Sequence, residues 1–403
     1  MAQGGRGHVS RRPTVALLIE SSRAYGRGLL RGIARYVRET AQWNVLHQER
    51  SLSDAAPVWL SHQACNGVIA RVESPRLLEQ LRRLRLPVVD VRGVLECQGI
   101  PRVLSDDGAI AVMAAEHLLD RGLRNFAFCG FGGADYSRRR QEAFCQRVSV
   151  AGYAVDLFNT TAPLRRADTQ RIEAAAIASE NQIRRWVKQL PTPVGMMACN
   201  DICGRMVLDA CLREALRVPE SVAVVGVDND DVLCELSSPP LSSVQPDCDR
   251  IGYRAAELLA RMMRGGHRVA RSLYIGPTGI VTRLSTDMLA VDDRLVAESL
   301  AFIRRSRGKH LSVEHILDHL ADSGLTTSRS TLERRFAEHL KRSPRDEIAR
   351  VAMERACELL LGTGLPLQRI AESVGLAYSE YFIRVFKQRY GVTPGEFRRR
   401  SGR

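Results

Sequence analysis

The chain has 403 residues, of which 45% are hydrophobic and 26% charged, and its formal net charge at pH 7 is +14. This length predicts two or three domains of ordinary globular composition. No run of about 18 apolar residues occurs, which excludes a candidate transmembrane helix from the sequence, and the ten cysteines are scattered singly, which favours reduced thiols over a disulfide framework or a metal site.

Residues 1–12 are expected to form a flexible tail before the first strand. Basic residues precede the apolar run Val15–Ile19, as they do in a signal peptide, but Glu20 ends that run after five residues. Such a run is too short for the apolar core of a signal peptide. We therefore expect the protein to stay in the cytoplasm, without a membrane partner.

Residues 13–285 alternate short β-rich runs with amphipathic helical patterns. Runs rich in Val and Ile between helices indicate βαβ units and a parallel sheet covered on both faces, so the fold class is α/β. Ligands bind such sheets at the carboxyl ends of the strands, and polar residues follow several of the predicted strands. The predicted strands are residues 14–20, 43–48, 67–71, 87–92, 125–131, 194–200 and 222–228, and a final strand is expected at the start of the segment TGIVTRLSTDMLAVDD, residues 278–293.

A linker is predicted at residues 286–299 and an all-α domain at residues 300–403. In this last part the β pattern disappears and apolar residues recur with a period of 3.6. From residue 295 onward the sequence holds 20 basic against 13 acidic side chains, so half of the net charge lies in about a quarter of the chain. A basic excess on a small helical unit indicates nucleic acid as a partner.

The helical domain contains an internal repeat at a shift of fifty residues. Phe336 then aligns with Phe386, and the pair Ser343–Pro344 aligns with Thr393–Pro394. A Ser/Thr-Pro pair supplies the N-cap and the first residue of a helix. The repeat predicts two helix-turn-helix units joined by a long helix. The alternative is a helical bundle used for oligomerisation, with its arginines on the surface.

The second helix of each unit is expected to enter the major groove of DNA and to present its N-terminal residues to base edges. Arginine can bind guanine through two hydrogen bonds, and basic residues further along the helix contact phosphates. In the first unit the candidates are Thr327, Ser328, Arg329, Thr331, Arg334 and Arg335. In the second unit they are Tyr378, Ser379, Glu380, Tyr381 and Arg384, with Lys387 as a phosphate contact.

The segment LPLQRIAESVGLAYSEYFIRVFKQRYGVTPGEFRRR, residues 365–400, resembles the C-terminal DNA-binding domain of the AraC/XylS family. The resemblance covers about residues 300–400 and includes TLERRF, SPRDEI and ERACELL. It implies double-stranded DNA as the partner. The sequence departs from the family in its first turn, LADSGLTTSRSTLERRF, which is at least one residue longer than usual.

The N-terminal region resembles the two-lobed type I periplasmic-binding-protein fold of LacI-family repressors and ribose-type sugar receptors. The motifs that carry this resemblance are YGRGLLRGIARY, AAEHLLDRGLRNFAFCGF and VPESVAVVGVDNDDVLCELSSPPLSSV. A domain of this kind followed by an AraC-type domain is the order found in regulators of the XylR type, which control xylose operons. The whole chain is similar to that family.

This resemblance implies a sugar site between the two lobes. Sugar hydroxyls bind carboxylate, amide and guanidinium groups, and the C–H face of a sugar packs on an aromatic ring. Asn200 and Asp228 match the two best-defined sugar ligands of the family, and Arg140 matches its ligand-binding arginine. Asp201 could instead cap the helix that follows it. The full candidate set is Arg23, Tyr25, Asp90, Arg92, Tyr136, Arg140, Asn200, Asp228 and Gln245.

We therefore expect a homodimeric transcription regulator, most simply an activator, with D-xylose as first candidate effector and RNA polymerase as a further candidate partner. Another sugar, a sugar phosphate or a purine is an alternative effector. Alternatives of other classes are a carbohydrate receptor without a DNA role and an enzyme acting on carbohydrate. The sequence shows no GxxxxGK[ST] loop, HExxH motif or Ser–His–Asp set, so we expect no enzyme activity, cofactor or metal.

Overall fold

The computed structural model has two lobes, each built on one six-stranded sheet, followed by a helical domain. The chain crosses from one lobe to the other at three places, which leaves one cleft between the lobes. The structure describes residues 12–51, 54, 57–62, 65–95, 99–160, 172–173, 176–265, 272–287, 293–306, 311–340, 342–376 and 378–400.

Lobe 1 is built on an all-parallel sheet. Its strands are β1 (Thr14–Leu18), β2 (Asn44–His47), β3 (Gly67–Ala70), β4 (Val88–Asp90), β5 (Arg102–Ser105) and β11 (Ser272–Ile275). They lie in the order β11-β5-β4-β3-β1-β2. Val15, Val68 and Ile69 have no exposed surface, as expected for strands that helices cover on both faces.

Lobe 2 repeats this architecture with one antiparallel edge. Its strands are β6 (Asn125–Phe131), β7 (Val155–Thr160), β8 (Val194–Ala198), β9 (Val222–Val227), β10 (Ser242–Pro246) and β12 (Pro277–Val281). They lie in the order β12-β10-β9-β8-β6-β7, with β12 antiparallel to β10. Every residue of β8 and β9 is buried.

The α-helices alternate with the strands in both lobes and then form the C-terminal domain alone. In chain order they are α1 (Ala24–Tyr36), α2 (Trp59–His62), α3 (Pro75–Arg83), α4 (Asp107–Leu119), α5 (Asp135–Val150), α6 (Glu180–Gln189), α7 (Asp201–Arg213), α8 (Asp231–Leu236), α9 (Cys248–Met263), α10 (Arg294–Arg305), α11 (Val313–Asp322), α12 (Arg329–Leu340), α13 (Pro344–Gly362), α14 (Leu367–Ser373), α15 (Ser379–Tyr390) and α16 (Pro394–Arg400).

The three crossings run from β5 to α4, from β10 to α9, and from β11 to β12. Two of them are hydrogen-bonded to each other, because the amide of Asp106 donates to the carbonyl of Ile275 at 2.8 Å. Asp106 also caps α4 by accepting from the amide of Ala109 at 2.9 Å. The crossings therefore form a compact hinge at the base of the cleft.

Helices α1 and α9 pack against each other at very short range in lobe 1. A Cβ atom added to Gly32 would lie 1.8 Å from the carbonyl oxygen of Asp249, and one added to Gly252 would lie 2.0 Å from that of Leu29. Only glycine allows two helix backbones to approach this closely. The guanidinium of Arg35 lies 2.6 Å from the Asp249 carboxylate and joins the same two helices.

The C-terminal domain contains two helix-turn-helix units, α11–α12 and α14–α15, joined by the long helix α13. Each unit has its own core, built around Phe336 in the first and Phe386 in the second, both without exposed surface. Gly324 and Gly375 form the turns with φ values of +73° and +82°. This left-handed conformation favours glycine because other residues carry a Cβ that clashes there.

The predicted α/β region and the all-α region with two helix-turn-helix units are both confirmed. Each predicted strand is present, including the final one as β12, and the seven with predicted bounds are shorter by one or two residues at the ends that differ. Strands β5, β7, β10 and β11 were not predicted; three of them, VDLFNT, SSVQP and SLYI, lack the continuous Val/Ile run of a central strand. Helix α10 starts at Arg294, so the segment 286–299 predicted as a linker contains its first half.

None of the helices in the described ranges combines the length and apolar character that a membrane crossing requires.

Replacing Gly252 by alanine should destabilise the receptor lobes, because the new methyl group must displace the backbone of α1. Overpacking of this kind costs about 1–3 kcal/mol, and calorimetry should show the transition of the lobes at lower temperature. Gly395→Ala is the control, since nothing lies within 4 Å of its added Cβ. A Gly252→Ala protein with an unchanged transition would contradict the short helix contact.

Candidate effector cleft and DNA-contacting helices

A polar cleft lies between the two lobes, at the carboxyl ends of their strands. It encloses about 760 Å³, including its open mouth. Seven of the nine predicted effector residues line it, which brings together positions up to 205 residues apart in the chain. These seven are Arg23, Tyr25, Arg92, Tyr136, Arg140, Asn200 and Asp228.

Asp90 does not line the cleft, although it ends strand β4. Its buried carboxylate accepts hydrogen bonds from the amides of Val72 (3.2 Å), Arg92 (2.8 Å) and Gly93 (2.9 Å). Burial raises the pKa of Asp90 to about 6, against the lowering effect of these three amides. Asp90 therefore stabilises the turn that holds Arg92, and its oxygens face backbone amides.

Gln245 also lies away from the cleft. Its side-chain oxygen accepts a hydrogen bond from Asn229 Nδ2 at 3.3 Å. It lines a different cavity of about 990 Å³, together with Tyr390 and Phe397 of the C-terminal domain. The last crossover is thus placed next to the second helix-turn-helix unit.

One wall of the cleft is a hydrogen-bonded cluster around Glu173. The Asn200 amide donates to Glu173 Oε1 and to the Tyr136 hydroxyl, both at 3.2 Å, and the other Glu173 oxygen lies 2.5 Å from the Arg23 guanidinium. Asn200 also caps α7 through a hydrogen bond from the Cys203 amide at 2.9 Å. The N-cap residue of α7 is therefore Asn200, and Asp201, for which this role was the alternative, is the first residue of the helix.

The adjoining part of the lining is organised by Arg140, which is almost completely buried. It donates to Asp107 Oδ1 at 2.8 Å and to the carbonyl of Cys199 at 2.6 Å, and its remaining nitrogen lies 4.0 Å from Asp228. Arg139 pairs with the second oxygen of Asp107. The carboxylate of Asp107, at the start of α4, thus holds two guanidinium groups in place.

Asp228 has a strained backbone and a carboxylate that opens to the cleft. Its φ of +106° is unfavourable for a residue with a Cβ, and such strain is concentrated at functional sites. Burial raises the pKa of Asp228 to about 6, while the nearby Arg140 lowers it. The side chain keeps 27% of its surface exposed, so water in the cleft moderates this rise.

Asp201 lies beside Asp228 and is more deeply buried. Its oxygens accept hydrogen bonds from Ser243 Oγ (2.6 Å) and from the amide of Asp230 (2.8 Å). Burial, together with the charge of Asp228, raises the pKa of Asp201 to about 8. The two carboxyl groups interact, so they titrate as a coupled pair.

Each guanidinium group that lines the cleft has a carboxylate partner. Arg71 pairs with Glu20, and Arg92 pairs with Glu73. The remaining pairs are Arg23 with Glu173, and Arg139 and Arg140 with Asp107. The cleft is therefore rich in arginine without carrying an excess of positive charge.

Several lining residues were not identified from the sequence. They are Arg71, Ser105, Asp107, Arg139, Glu173, Asp201 and Asp230. Arg71 ends the predicted strand 67–71, so the rule that placed Arg23 after β1 could have found it. Ser105 and Asp107 lie at the carboxyl end of β5, a strand that was not predicted. Glu173 stands near no predicted strand, and no local pattern marks it.

In the first helix-turn-helix unit, the arginines of α12 are engaged by acidic side chains. Arg329 is exposed and lies 2.7 Å from Glu314 and 3.0 Å from Glu333. Arg335 turns away from the exposed face and contacts Asp293, which caps α10. The other candidates are exposed or half-buried at the start of the helix: Thr327, Ser328 and Thr331, with Arg334 exposed one turn further along.

The second unit presents a more open basic face. Tyr378, Glu380, Arg384 and Lys387 are exposed, and the guanidinium of Arg384 lies 5.1 Å from the centre of the Tyr381 ring. Ser379 is half-buried at the first turn of α15. Within the part of the chain that the structure describes, no carboxylate pairs with Arg384 or Lys387.

Three family models match successive parts of the chain. Residues 14–103 match an XylR N-terminal domain, residues 115–286 a periplasmic-binding-protein-like domain, and residues 323–400 a helix-turn-helix domain. The order agrees with the two lobes and the C-terminal domain of the structure.

Similarity to known proteins extends over nearly the whole chain. A solved structure described as the xylose-binding transcription activator xylR is 27% identical, with a TM-score of 0.61 over 97% of this chain and 98% of that chain. The xylose operon regulatory protein of Escherichia coli K12 is 29% identical over 96% of this chain and 97% of its own length. The protein of the same name from Haemophilus influenzae is 30% identical over 95% of this chain and 97% of its own length. The chain therefore belongs to the family of xylose operon regulatory proteins, which are regulators of transcription.

Proposed function

We propose that this protein binds D-xylose in the cleft between its lobes and thereby changes its binding to operator DNA. The observation that carries the proposal is the charge-balanced polar cleft, in which amide, carboxylate and guanidinium groups converge from both lobes. The relatives named for the xylose operon support the choice of pentose. Its role is recognition of a ligand, without chemical conversion.

The charge balance favours a neutral sugar over a sugar phosphate. A phosphate would enter a cleft whose arginines already contact carboxylates, with the ionised Asp228 adding further negative charge near pH 7. It would have to break ion pairs in order to bind, because every described guanidinium that lines the cleft already has a carboxylate partner. A hydroxyl group can instead donate to Asp228 and accept from Arg140 or Asn200. A neutral polyhydroxy ligand fits this cleft without separating any of these pairs.

The DNA-binding part of the proposal concerns the arrangement of the two units. A homodimer would present four helix-turn-helix units to tandem half-sites spaced by about one helical turn or a multiple of it. Binding of the sugar can change the DNA affinity only through a difference in sugar affinity between two arrangements. We propose activation through contact with RNA polymerase, in the cytoplasm, as the simplest outcome.

D-Xylose should raise the thermal transition of the full-length protein. A ligand at about 100 times its Kd stabilises the native state by roughly 2.7 kcal/mol. Asp228→Asn should weaken D-xylose binding at least about tenfold, because it removes a charge-assisted hydrogen bond. Asp231→Asn is the matched control, since Asp231 is exposed and outside the cleft. Stabilisation by D-xylose 5-phosphate or a purine, without any by D-xylose, would contradict the proposal.

The affinity for D-xylose should rise as the pH is raised through about 6. The ionised Asp228 accepts hydrogen bonds from hydroxyl groups more strongly than the neutral acid does, and its pKa is near 6. Titration calorimetry from pH 5 to 7.5 measures the effect, and Asp228→Asn should flatten it. Affinity that falls over this range would contradict the assigned contact. The charged groups around Asp228 are Arg23, Arg71, Arg140, Glu173 and Asp201.

Arg384→Ala should weaken binding to a duplex that the wild-type protein selects from a random pool. Loss of a bidentate contact to guanine costs about 1–3 kcal/mol and relaxes the preference at one base pair. Lys387→Ala should instead weaken binding to all sequences and lower the salt dependence by about one charge. Fluorescence anisotropy at several salt concentrations separates the two effects. Arg138→Ala, in lobe 2, is the control and should change neither.

A further inference from the structure

The loop after strand β9 connects the cleft with the segment that leads to the DNA-binding domain. Asp228 faces the cleft, and the next residue, Asn229, turns away from it. Asn229 has a φ of +45°, a left-handed conformation that Asn and Gly adopt more readily than other residues. The two neighbours therefore face different parts of the molecule.

The backbone of Asn229 is linked through hydrogen bonds to the carboxyl group of Asp201, which lines the cleft. Its amide donates to Ser243 Oγ at 3.0 Å, and the same hydroxyl donates to Asp201 Oδ1 at 2.6 Å. Ser243 has no exposed surface. A shift of the Asp201 carboxyl group is therefore transmitted to Asn229 through one buried hydroxyl, and Asp228 is the direct neighbour of Asn229 in the chain.

The side chain of Asn229 contacts the start of the connecting segment. Its Oδ1 accepts a hydrogen bond from Arg283 Nη1 at 3.0 Å. The same guanidinium donates to the carbonyl of Leu241 at 2.9 Å and to Glu235 at 2.7 Å. Arg283 lies two residues after the end of β12, the last strand of lobe 2, and 11% of its side chain is exposed.

The residues after Arg283 are held inside lobe 2. Ser285 and Thr286 have no exposed surface. Ser285 Oγ donates to the carbonyl of Val224 at 2.6 Å, and the carbonyl of Thr286 accepts from Arg121 at 2.6 Å. The segment after Arg283 is therefore fixed by buried hydrogen bonds. A displacement of Arg283 would shift this segment as well.

The end of this segment also contacts the DNA-binding domain. Asp287 lies 3.5 Å from Arg304, at the end of α10. Arg342, at the start of α13, donates to the carbonyl of Asp120 in lobe 2 at 3.0 Å. The helices that support both helix-turn-helix units are therefore connected to lobe 2 at its junction with this segment.

We propose that Asn229 is the positioning residue that couples effector binding at Asp228 to the DNA-binding domain through Arg283. This inference rests on the proposed binding of D-xylose in the cleft. Binding of a sugar hydroxyl to Asp228 moves or holds the loop, and Asn229 transfers the change to Arg283 and the buried segment after it. Coupling of this kind acts within one protomer, in addition to any change between protomers.

Asn229→Gly tests the coupling without disturbing the fold. Glycine accepts the positive φ, and Arg283 keeps its bonds to Leu241 and Glu235. The half-buried side-chain oxygen of Gln245 loses one hydrogen bond, but the buried guanidinium does not lose its last partner. We expect the affinity of this variant for D-xylose to stay within about threefold of wild type. In the wild-type protein, D-xylose should change the affinity for the selected duplex by about 5- to 150-fold. In Asn229→Gly this change should fall below about twofold.

Glu235→Gln is the matched control, because it alters the exposed partner of Arg283 and leaves the Asn229 contact intact. It should keep the wild-type response. A wild-type response in Asn229→Gly would overturn the inference. Failure of D-xylose to bind the wild-type protein would overturn the proposed function and this inference with it, whereas binding with an unaltered variant response overturns the inference alone.

Hydrogen exchange supplies a readout that does not depend on DNA. D-Xylose should slow amide exchange at residues 226–230 in both proteins, and at residues 283–287 in the wild type only. Equal protection of residues 283–287 in the two proteins would also overturn the coupling role.

Discussion

The ion pairs between arginines and carboxylates in the cleft are the interaction on which the rest of the receptor domain depends. A buried charge is tolerated only when a partner and further hydrogen bonds replace its water. Asp107 illustrates this, because one carboxylate holds Arg139 and Arg140. Removing either kind of partner would leave an uncompensated charge between the lobes. The polar lining is thus fixed before any ligand arrives.

The same pairs also set how the two lobes meet. Arg23 of lobe 1 contacts Glu173 of lobe 2, and the amide of Ala24 donates to Asp230 at 3.1 Å. Arg92 of lobe 1 stands over the Tyr136 ring of lobe 2, with 5.4 Å to the ring centre. Residues that line the site therefore also bridge the lobes, so occupancy and lobe geometry are parts of one equilibrium.

Features that depend on residues close together in the chain could be predicted from the sequence, whereas contacts between residues far apart could not. The buried strands β8 and β9 are continuous apolar runs, and the turns of the helical domain carry glycine, so both were predictable from short windows. The cleft positions came from resemblance and from the ends of predicted strands. Ion pairs such as that of Arg71 with Glu20 join residues 51 positions apart, and no periodic pattern in the sequence marks them. Asp90 was predicted to line the cleft because it ends a strand. Only the fold shows that its oxygens face backbone amides instead.

Ser285 and Thr286 are buried in lobe 2. The receptor domain therefore extends beyond its last strand, β12. Both side chains fill space between β9, β10 and α4, with His117 Nε2 lying 2.8 Å from Thr286 Oγ1. A chimera that joins this receptor to a foreign DNA reader must therefore keep the native chain through Asp287. A graft made at the end of β12 would open lobe 2 and leave Arg121 Nε without the Thr286 carbonyl as its acceptor. In this chain, the receptor domain is expected to be separable from the DNA-binding domain only together with the short segment through Asp287.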